Sequence, residues 1–233
     1  MAAQNEPTAA TGLAGGRAQR RGRYPLAVAL LALLGFALVL ILVVLGDTTA
    51  FDLRATLDWQ RVRLPGLEPL MQAVSWPGFT PQATYFGAGI LLLLLALRLW
   101  LESGFALLAF LCGMFSGTIK GIVARPRPVA GDGLVVQFPV GGYSFPSGHV
   151  LTYVIFCGFL AYLAYTLVRW RPLRRGLLTL LLGLIALVGP SRVYLGQHWA
   201  TDTLASYFLG TAILIVLLVL YRAAKGWQLA ATR

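Results

Sequence analysis

The chain has 233 residues, of which 58% are hydrophobic and only 12% are charged, and its formal net charge is +11. Soluble domains carry about 25% charged residues, so this composition excludes a soluble globular protein. The basic residues are dispersed between apolar segments, which argues against nucleic-acid binding and favours arginine placed at one face of a membrane. Because Cys112 and Cys157 each lie in an apolar run away from histidine, neither a disulfide nor a metal site is expected.

In chain order, residues 1–24 come first; they are small, polar and basic and are predicted to form a disordered cytoplasmic tail. A membrane-spanning helix needs about 20 mostly apolar residues. Six segments meet this need, and helices are the structure that satisfies their backbone groups in a bilayer. The predicted spans are residues 25–45, 82–100, 104–123, 147–168, 176–190 and 201–221.

The sequence thus predicts an all-α polytopic membrane protein whose six transmembrane helices occupy residues 25–222, followed by a cytoplasmic tail at 223–233. Residues 47–80 join the first two spans. They mix apolar, charged and proline residues and are predicted to be interfacial structure on the outer surface, with anchoring favoured over substrate gating.

Loop charge predicts the orientation, because cytoplasmic loops are enriched in arginine and lysine. Placing the N-terminus inside puts most of the 19 basic residues on the cytoplasmic side. Both termini are then cytoplasmic, in what we expect to be a bacterial inner membrane. The strongest contribution comes from the loop between the fourth and fifth spans, with Arg169, Arg171, Arg174 and Arg175.

Ionisable residues also occur at the outer ends of the spans, where they are costly and therefore candidates for function. Each one alone has an ordinary explanation: a snorkelling arginine, a packed histidine or a helix cap. Together they come from three separate regions of the chain and converge on one membrane face. They are Lys120, Arg125, Arg127, His149, Arg192, His198 and Asp202.

These residues fall in three sequence blocks: Lys120 followed after six residues by Arg127-Pro128, then Pro146-Ser147-Gly148-His149, then Ser191-Arg192 followed by His198 and Asp202. In this order and spacing the blocks resemble the signature of the type-2 phosphatidic acid phosphatase superfamily. The resemblance covers about residues 80–221. It implies a metal-independent membrane phosphatase without a cofactor, whose active site lies at the outer ends of the helices.

The resemblance implies that Lys120, Arg127 and Arg192 bind the phosphoryl group, together with Ser147 and Gly148. The chemistry agrees, since phosphoryl transfer is catalysed mainly by positioning and by stabilising negative charge. An arginine fork can hold two phosphate oxygens at once. The start of the fourth span would add a helix N-terminus, which attracts anions.

His198 is the implied nucleophile, forming a phosphohistidine that water hydrolyses. Asp202, one helical turn later, would orient the imidazole, and His149 would protonate the leaving oxygen. Arg125 is not a motif position and is expected to contact lipid headgroups.

The expected function is a lipid phosphate or diphosphate phosphatase, with undecaprenyl diphosphate, phosphatidic acid and phosphatidylglycerophosphate as candidate substrates; a bacterial setting slightly favours the first. A lipid phosphotransferase and a non-catalytic lipid-binding or transport protein remain alternatives. The same pocket occurs in vanadium haloperoxidases, but those are soluble, which six spans argue against. The oligomeric state stays open.

Overall fold

A computed structural model of the chain describes residues 9–131 and 133–231, with side chains from Tyr24 onward. These residues form helices joined by turns, and the all-α prediction is confirmed. The α-helices are α1 Ala9–Leu45, α2 Thr49–Arg61, α3 Leu67–Ser75, α4 Gln82–Ala96, α5 Trp100–Met114, α6 Ser116–Val123, α7 Gly148–Thr152, α8 Gly158–Leu167, α9 Arg171–Tyr194 and α10 Ala200–Ala231. A 3₁₀ turn, Trp76–Gly78, follows α3, and a π-helical turn, Tyr153–Cys157, joins α7 to α8.

The described residues contain five helical segments long and apolar enough to cross a membrane, or six if one bent pair counts as a span. The bent pair joins Leu67–Gly78 to α4 at an angle of 62°. The predicted span at 82–100 is thus a helix of 15 residues that reaches the required length only with the segment before it. The five straight segments are Tyr24–Leu45, Trp100–Val123, Gly148–Leu167, Arg171–Tyr194 and Ala200–Ala231.

The predicted N-terminal tail differs from the structure where the structure describes it, and the described part of the predicted C-terminal tail is helical. Residues 9–24, expected to be disordered, continue α1 toward the N-terminus, and residues 223–231 continue α10. Alanine, which is frequent in both stretches, is the strongest helix former, and an existing helix extends at little cost. Residues 1–8 and 232–233 lie outside the described part of the chain.

Within residues 47–80, helix α2 buries the polar side chains of one face against the rest of the protein. Its buried residues are Asp52, Thr56 and Gln60, spaced four apart on one face. Gln60 donates to the Tyr194 carbonyl over 2.9 Å, and Trp59 donates to the Pro190 carbonyl over 2.9 Å. This segment is therefore fastened to the end of α9.

At the opposite end of the bundle an aromatic cluster joins α5, α8 and α10. The Tyr221 ring makes edge contacts with Phe105 and Phe159, both at 5.4 Å between centroids. Its hydroxyl donates to buried Glu102 over 2.8 Å, and Lys225 pairs with the same carboxylate at 2.8 Å. The buried Glu102 carboxylate is thus neutralised by Lys225.

Pro190 lies inside α9, which runs four residues further, so the short span predicted at 176–190 extends beyond its proline, as the length of a membrane span requires. A proline within a helix disturbs the hydrogen bonds of the preceding turn. The Tyr207 hydroxyl of α10 repairs this turn: it accepts from the Gly189 N–H over 3.0 Å and donates to the Ile185 carbonyl over 2.6 Å. The repair lets α9 continue to Arg192.

Candidate active site

The eight predicted site residues come from four parts of the chain that meet at one end of the bundle. Lys120 lies in α6, and Arg127 follows in the loop after it. Ser147, Gly148 and His149 open the helical segment Gly148–Leu167. Arg192 lies in the last turn of α9, His198 lies in the turn that follows, and Asp202 is in the first turn of α10.

His198 is almost completely buried, with 2% exposure, and its two ring nitrogens face different partners. Nδ1 lies 3.5 Å from Asp202 Oδ2, and Nε2 lies 3.3 Å from Arg127 Nη1. A guanidinium can only donate, so Nε2 is the nitrogen with a lone pair and Nδ1 carries the hydrogen. The ring therefore presents its basic nitrogen toward the cations.

Arg127 and Lys120 are held by backbone carbonyls. Arg127 donates from Nη1 to the Gln197 carbonyl at 2.6 Å and from Nε to the Gly142 carbonyl at 3.1 Å. Lys120 Nζ donates to the Tyr143 carbonyl at 2.9 Å. Since carbonyls are neutral, both side chains keep their full charge for an anion.

Arg192 is 1% exposed and donates from Nη1 to the Ser75 hydroxyl at 2.5 Å. Its guanidinium carbon lies 4.9 Å from the centre of the Phe79 ring. The same Phe79 ring makes an edge contact with His149, at 4.8 Å between ring centres. Phe79 thus links the predicted phosphate arginine to the predicted acid. A side chain at Gly78 would place its Cβ 2.4 Å from the His149 ring, so glycine is needed beside this histidine.

Ser147 stands at the N-cap of the helical segment, as predicted. Its backbone N–H donates to the Ser206 hydroxyl over 2.8 Å, which fixes the segment against α10. At Gly148 a Cβ would lie 2.9 Å from the Ser116 hydroxyl, so the absence of a side chain lets α6 approach closely.

Several buried polar atoms at this end have no hydrogen-bond partner within the described part of the chain. Such atoms are rare in folded proteins because each costs about 1–3 kcal/mol. Four of the six belong to predicted site residues, and the other two, Gln82 Oε1 and Gln197 Oε1, border the same region. The four are Ser147 Oγ, His149 Nε2, Arg192 Nε and His198 Nδ1. The first three atoms are suited to bind a polar ligand; the fourth faces Asp202 at a distance slightly too long for a good hydrogen bond.

Burial lowers the pKa of His198 well below its usual range, and the nearby cations Arg192, Lys120 and Arg127 lower it further; the backbone of Ser144 acts weakly in the other direction. Burial also lowers the pKa of Arg127, while Asp202 opposes the change. The result is a neutral imidazole at neutral pH, which is the form that can attack phosphorus.

The interpretation of Arg125 as a headgroup contact is wrong. Its side chain is 11% exposed and pairs with two buried carboxylates, Asp52 and Asp202. Sequence reasoning also missed Asp52 and Ser75, which lie in the segment taken as interfacial. The signal available for Asp52 was the polar stripe along α2, at the helical spacing of Asp52, Thr56 and Gln60.

With this geometry in place, comparison with known proteins defines the class. The family described as the PAP2 superfamily matches residues 86–225. The chain belongs to this superfamily, and the resemblance seen in its three sequence blocks is confirmed.

The similar proteins described next come from bacteria. Phosphatidylglycerophosphatase B of Bacillus subtilis (strain 168) is 37% identical over 87 residues, which are 37% of this chain and 39% of that protein. The matched region thus spans about two-fifths of that relative. The fold resembles the crystal structure of a transmembrane PAP2-type phosphatidylglycerolphosphate phosphatase from Bacillus subtilis, with a TM-score of 0.70, 20% identity, and coverage of 84% of this chain and 96% of the other. It also resembles Aquifex aeolicus LpxE, with a TM-score of 0.57, 19% identity, and coverage of 72% and 94%.

The lowered pKa of His198 predicts that its imidazole stays neutral when the pH falls through about 6.5, where a solvent-exposed imidazole is half protonated. The chain has only 2 histidines, so histidine-labelled protein in micelles should give two sets of imidazole signals. A His149→Gln variant retains only His198, so its spectrum identifies the His198 signals. Titrating those signals in the variant as well checks that they follow the signals assigned to His198 in the wild type. A titration midpoint at or above 6.5 for His198 would contradict the prediction.

Proposed function

We propose that this chain is a membrane phosphatase that hydrolyses a lipid phosphate through a phosphohistidine on His198. The observation that carries the proposal is the convergence of Ser147 Oγ, His149 Nε2 and Arg192 Nε, three buried atoms in need of partners, beside a neutral imidazole. Three cations with neutral partners at the same place supply the charge that a phosphoryl group requires.

In the first step His198 Nε2 attacks phosphorus, and the bond from phosphorus to the lipid oxygen breaks. His149 gives its proton to that oxygen, while Lys120, Arg127 and Arg192 stabilise the charge on the equatorial oxygens. Asp202 accepts the Nδ1 hydrogen of His198 and stabilises the positive ring that forms. In the second step water attacks phosphorus, gives a proton to His149, and inorganic phosphate leaves with His198 restored.

The surroundings of His149 support a lipid on the leaving side. A cavity of about 800 Å³ begins at Pro77 and Gly78, beside the His149 ring, and lies between α4, the Gly148–Leu167 segment and α9. It is lined by apolar side chains and extends along the helix from Thr152 to Val168, a length of about 24 Å at 1.5 Å per residue. This length exceeds one bilayer leaflet, about 15 Å, and is shorter than the whole hydrocarbon core, about 30 Å, so the groove can take an extended hydrocarbon chain.

Among lipid phosphates we propose a phosphatidylglycerophosphate-type substrate. The support is the named activity of the Bacillus subtilis relatives together with a groove that suits an acyl chain. Undecaprenyl diphosphate and phosphatidic acid share the phosphoryl chemistry and serve as the comparison substrates.

The test measures inorganic phosphate released from each of these lipids, and from soluble glycerol 3-phosphate, by purified protein without added metal. We expect release from the lipids, fastest from phosphatidylglycerophosphate, and little from glycerol 3-phosphate. The control is His198→Asn, which should release none. Phosphate label that moves to a second lipid would support a transferase instead, and binding without turnover would support a carrier protein.

The two histidines should respond differently to the leaving group. An alkoxide needs a proton, whereas an activated phenolate does not. An aryl phosphate with an acidic phenol should therefore restore much of the activity lost in His149→Ala, and none of that lost in His198→Ala. Steady-state rates on both substrate types give the comparison. Equal losses on both would remove the assignment of His149 as the acid.

We also propose that the site faces the outside of the membrane. Arg171, Arg174 and Arg175 lie in the first turn of α9, and the site lies at the far end of that helix. Loop charge places the first turn in the cytoplasm. Both termini would then be cytoplasmic, and the substrate headgroup would lie in the outer leaflet.

Single cysteines in a variant that lacks Cys112 and Cys157 test this orientation with a membrane-impermeant thiol reagent on intact cells. Val129→Cys, at a loop position that is 73% exposed near the site, should be labelled. Leu173→Cys, in the first turn of α9, should be labelled only after the cells are opened. The reverse pattern would place the site in the cytoplasm.

A further inference from the structure

Arg125 is stretched between two buried carboxylates. Its Nη1 donates to Asp202 Oδ1 and its Nη2 to Asp52 Oδ2, both at 2.5 Å. The same two nitrogens also donate to the hydroxyls of Thr201 and Thr48, at 2.8 and 2.9 Å. With both terminal nitrogens occupied, Arg125 has no free fork for a phosphate, and its role differs from that of the other cations.

The contact with Asp202 settles the direction of that carboxylate. Arg125 holds Oδ1, and Oδ2 faces the Trp199 N–H at 3.0 Å and His198 Nδ1 at 3.5 Å. Without such contacts the Asp202 carboxylate could rotate about the bond that joins it to Cβ. Arg125 on Oδ1 and the Trp199 N–H on Oδ2 together determine which oxygen meets the imidazole.

Asp52 holds the other side of Arg125 and belongs to α2, far away in the sequence. Its Oδ1 accepts from the Thr201 N–H over 2.9 Å, in the first turn of α10, and its Oδ2 accepts from the Thr201 hydroxyl over 2.7 Å. Asp52 thus acts as a cap supplied by another helix to the element that carries Asp202. The Asp52 carboxylate therefore fixes both Arg125 and the backbone of Thr201, the residue before Asp202.

Stability alone is a weak reason for such an arrangement. Buried ion pairs contribute little net stability, because removing the charges from water offsets most of their attraction. Here two carboxylates share one guanidinium, so the negative charge of Asp202, which faces His198 Nδ1, is only partly neutralised by Arg125. That charge is useful when the imidazole becomes positive upon phosphorylation.

We propose that Arg125, held in place by Asp52, is a positioning residue for the nucleophile: it aims Asp202 so that His198 keeps its hydrogen on Nδ1 and its lone pair on Nε2. The proposal rests on the proposed function, in which His198 attacks phosphorus. In this proposal α2 contributes to catalysis through Asp52, which holds Arg125 and does not contact the substrate.

The experiment compares Arg125→Gln, Arg125→Lys and Asp52→Asn with the wild type. In Arg125→Gln we expect kcat to fall by on the order of 10- to 100-fold, the cost typical of losing a group that orients a directly acting residue. KM and competitive inhibition by inorganic phosphate should change little, since Lys120, Arg127 and Arg192 remain. Arg125→Lys should restore only part of kcat, because one ammonium cannot bridge two carboxylates in the same plane.

Asp52→Asn keeps the shape and the acceptor for the Thr201 N–H, so it should fold and lose less kcat than Arg125→Gln. The matched control is Arg61→Gln, an arginine of α2 whose side chain is 75% exposed and pairs with Asp58 on the surface. It should keep the wild-type kcat.

Imidazole ¹⁵N signals of His198 provide a readout that needs no turnover. The wild type should show the hydrogen on Nδ1, and Arg125→Gln should show a mixture of both tautomers. Unchanged kcat in Arg125→Gln, or a folded variant in which phosphate inhibition weakens as much as kcat while the His198 tautomer stays on Nδ1, would overturn the proposal. A wild type that releases no phosphate from any lipid would instead overturn the proposed function, and the tautomer result would still decide the role of Arg125.

Discussion

Positive charge concentrated at one end of a membrane bundle is the constraint on which the rest of this structure depends. Charged groups taken out of water lose several kcal/mol of hydration each, and like charges repel most strongly where water is excluded. Lys120, Arg127 and Arg192 nevertheless lie close enough to His198 to lower its pKa. The chain meets this cost with neutral partners: backbone carbonyls for two of the cations and a serine hydroxyl for the third.

The choice of partner divides the arginines by purpose. A carbonyl or hydroxyl holds a guanidinium in place without cancelling its charge, so the charge remains available to an arriving anion. A carboxylate partner, by contrast, neutralises the charge of the guanidinium. Arg125 has carboxylate partners and is therefore removed from anion binding, although only one residue separates it from Arg127. Neighbours in sequence with the same side chain thus perform different tasks because the fold presents them to different acceptors.

This division explains what could be predicted from the sequence. The spans are visible because hydropathy is a local property, and the motif residues because their spacing is a property of the family. The partners of Arg125 and Arg192 are not visible, since Asp52 and Ser75 lie 73 and 117 residues away from them and are brought near by packing. The hydroxyl that repairs α9 at Pro190 is not visible either, because it belongs to another helix.

That hydroxyl has a mechanical consequence. The Tyr207 side chain takes part in the backbone hydrogen bonding of α9, while its own backbone belongs to α10. The two helices therefore cannot slide past each other without breaking these hydrogen bonds. Arg192 lies in the last turn of one helix, and Asp202 lies in the first turn of the other, so the shared hydrogen bonds couple the positions of these two side chains. The wall opposite is built differently, because Ser75 and Phe79, which contact Arg192, lie beside the 62° bend leading into α4. A movement at that bend would change their contacts with Arg192 and leave the coupling of α9 to α10 in place.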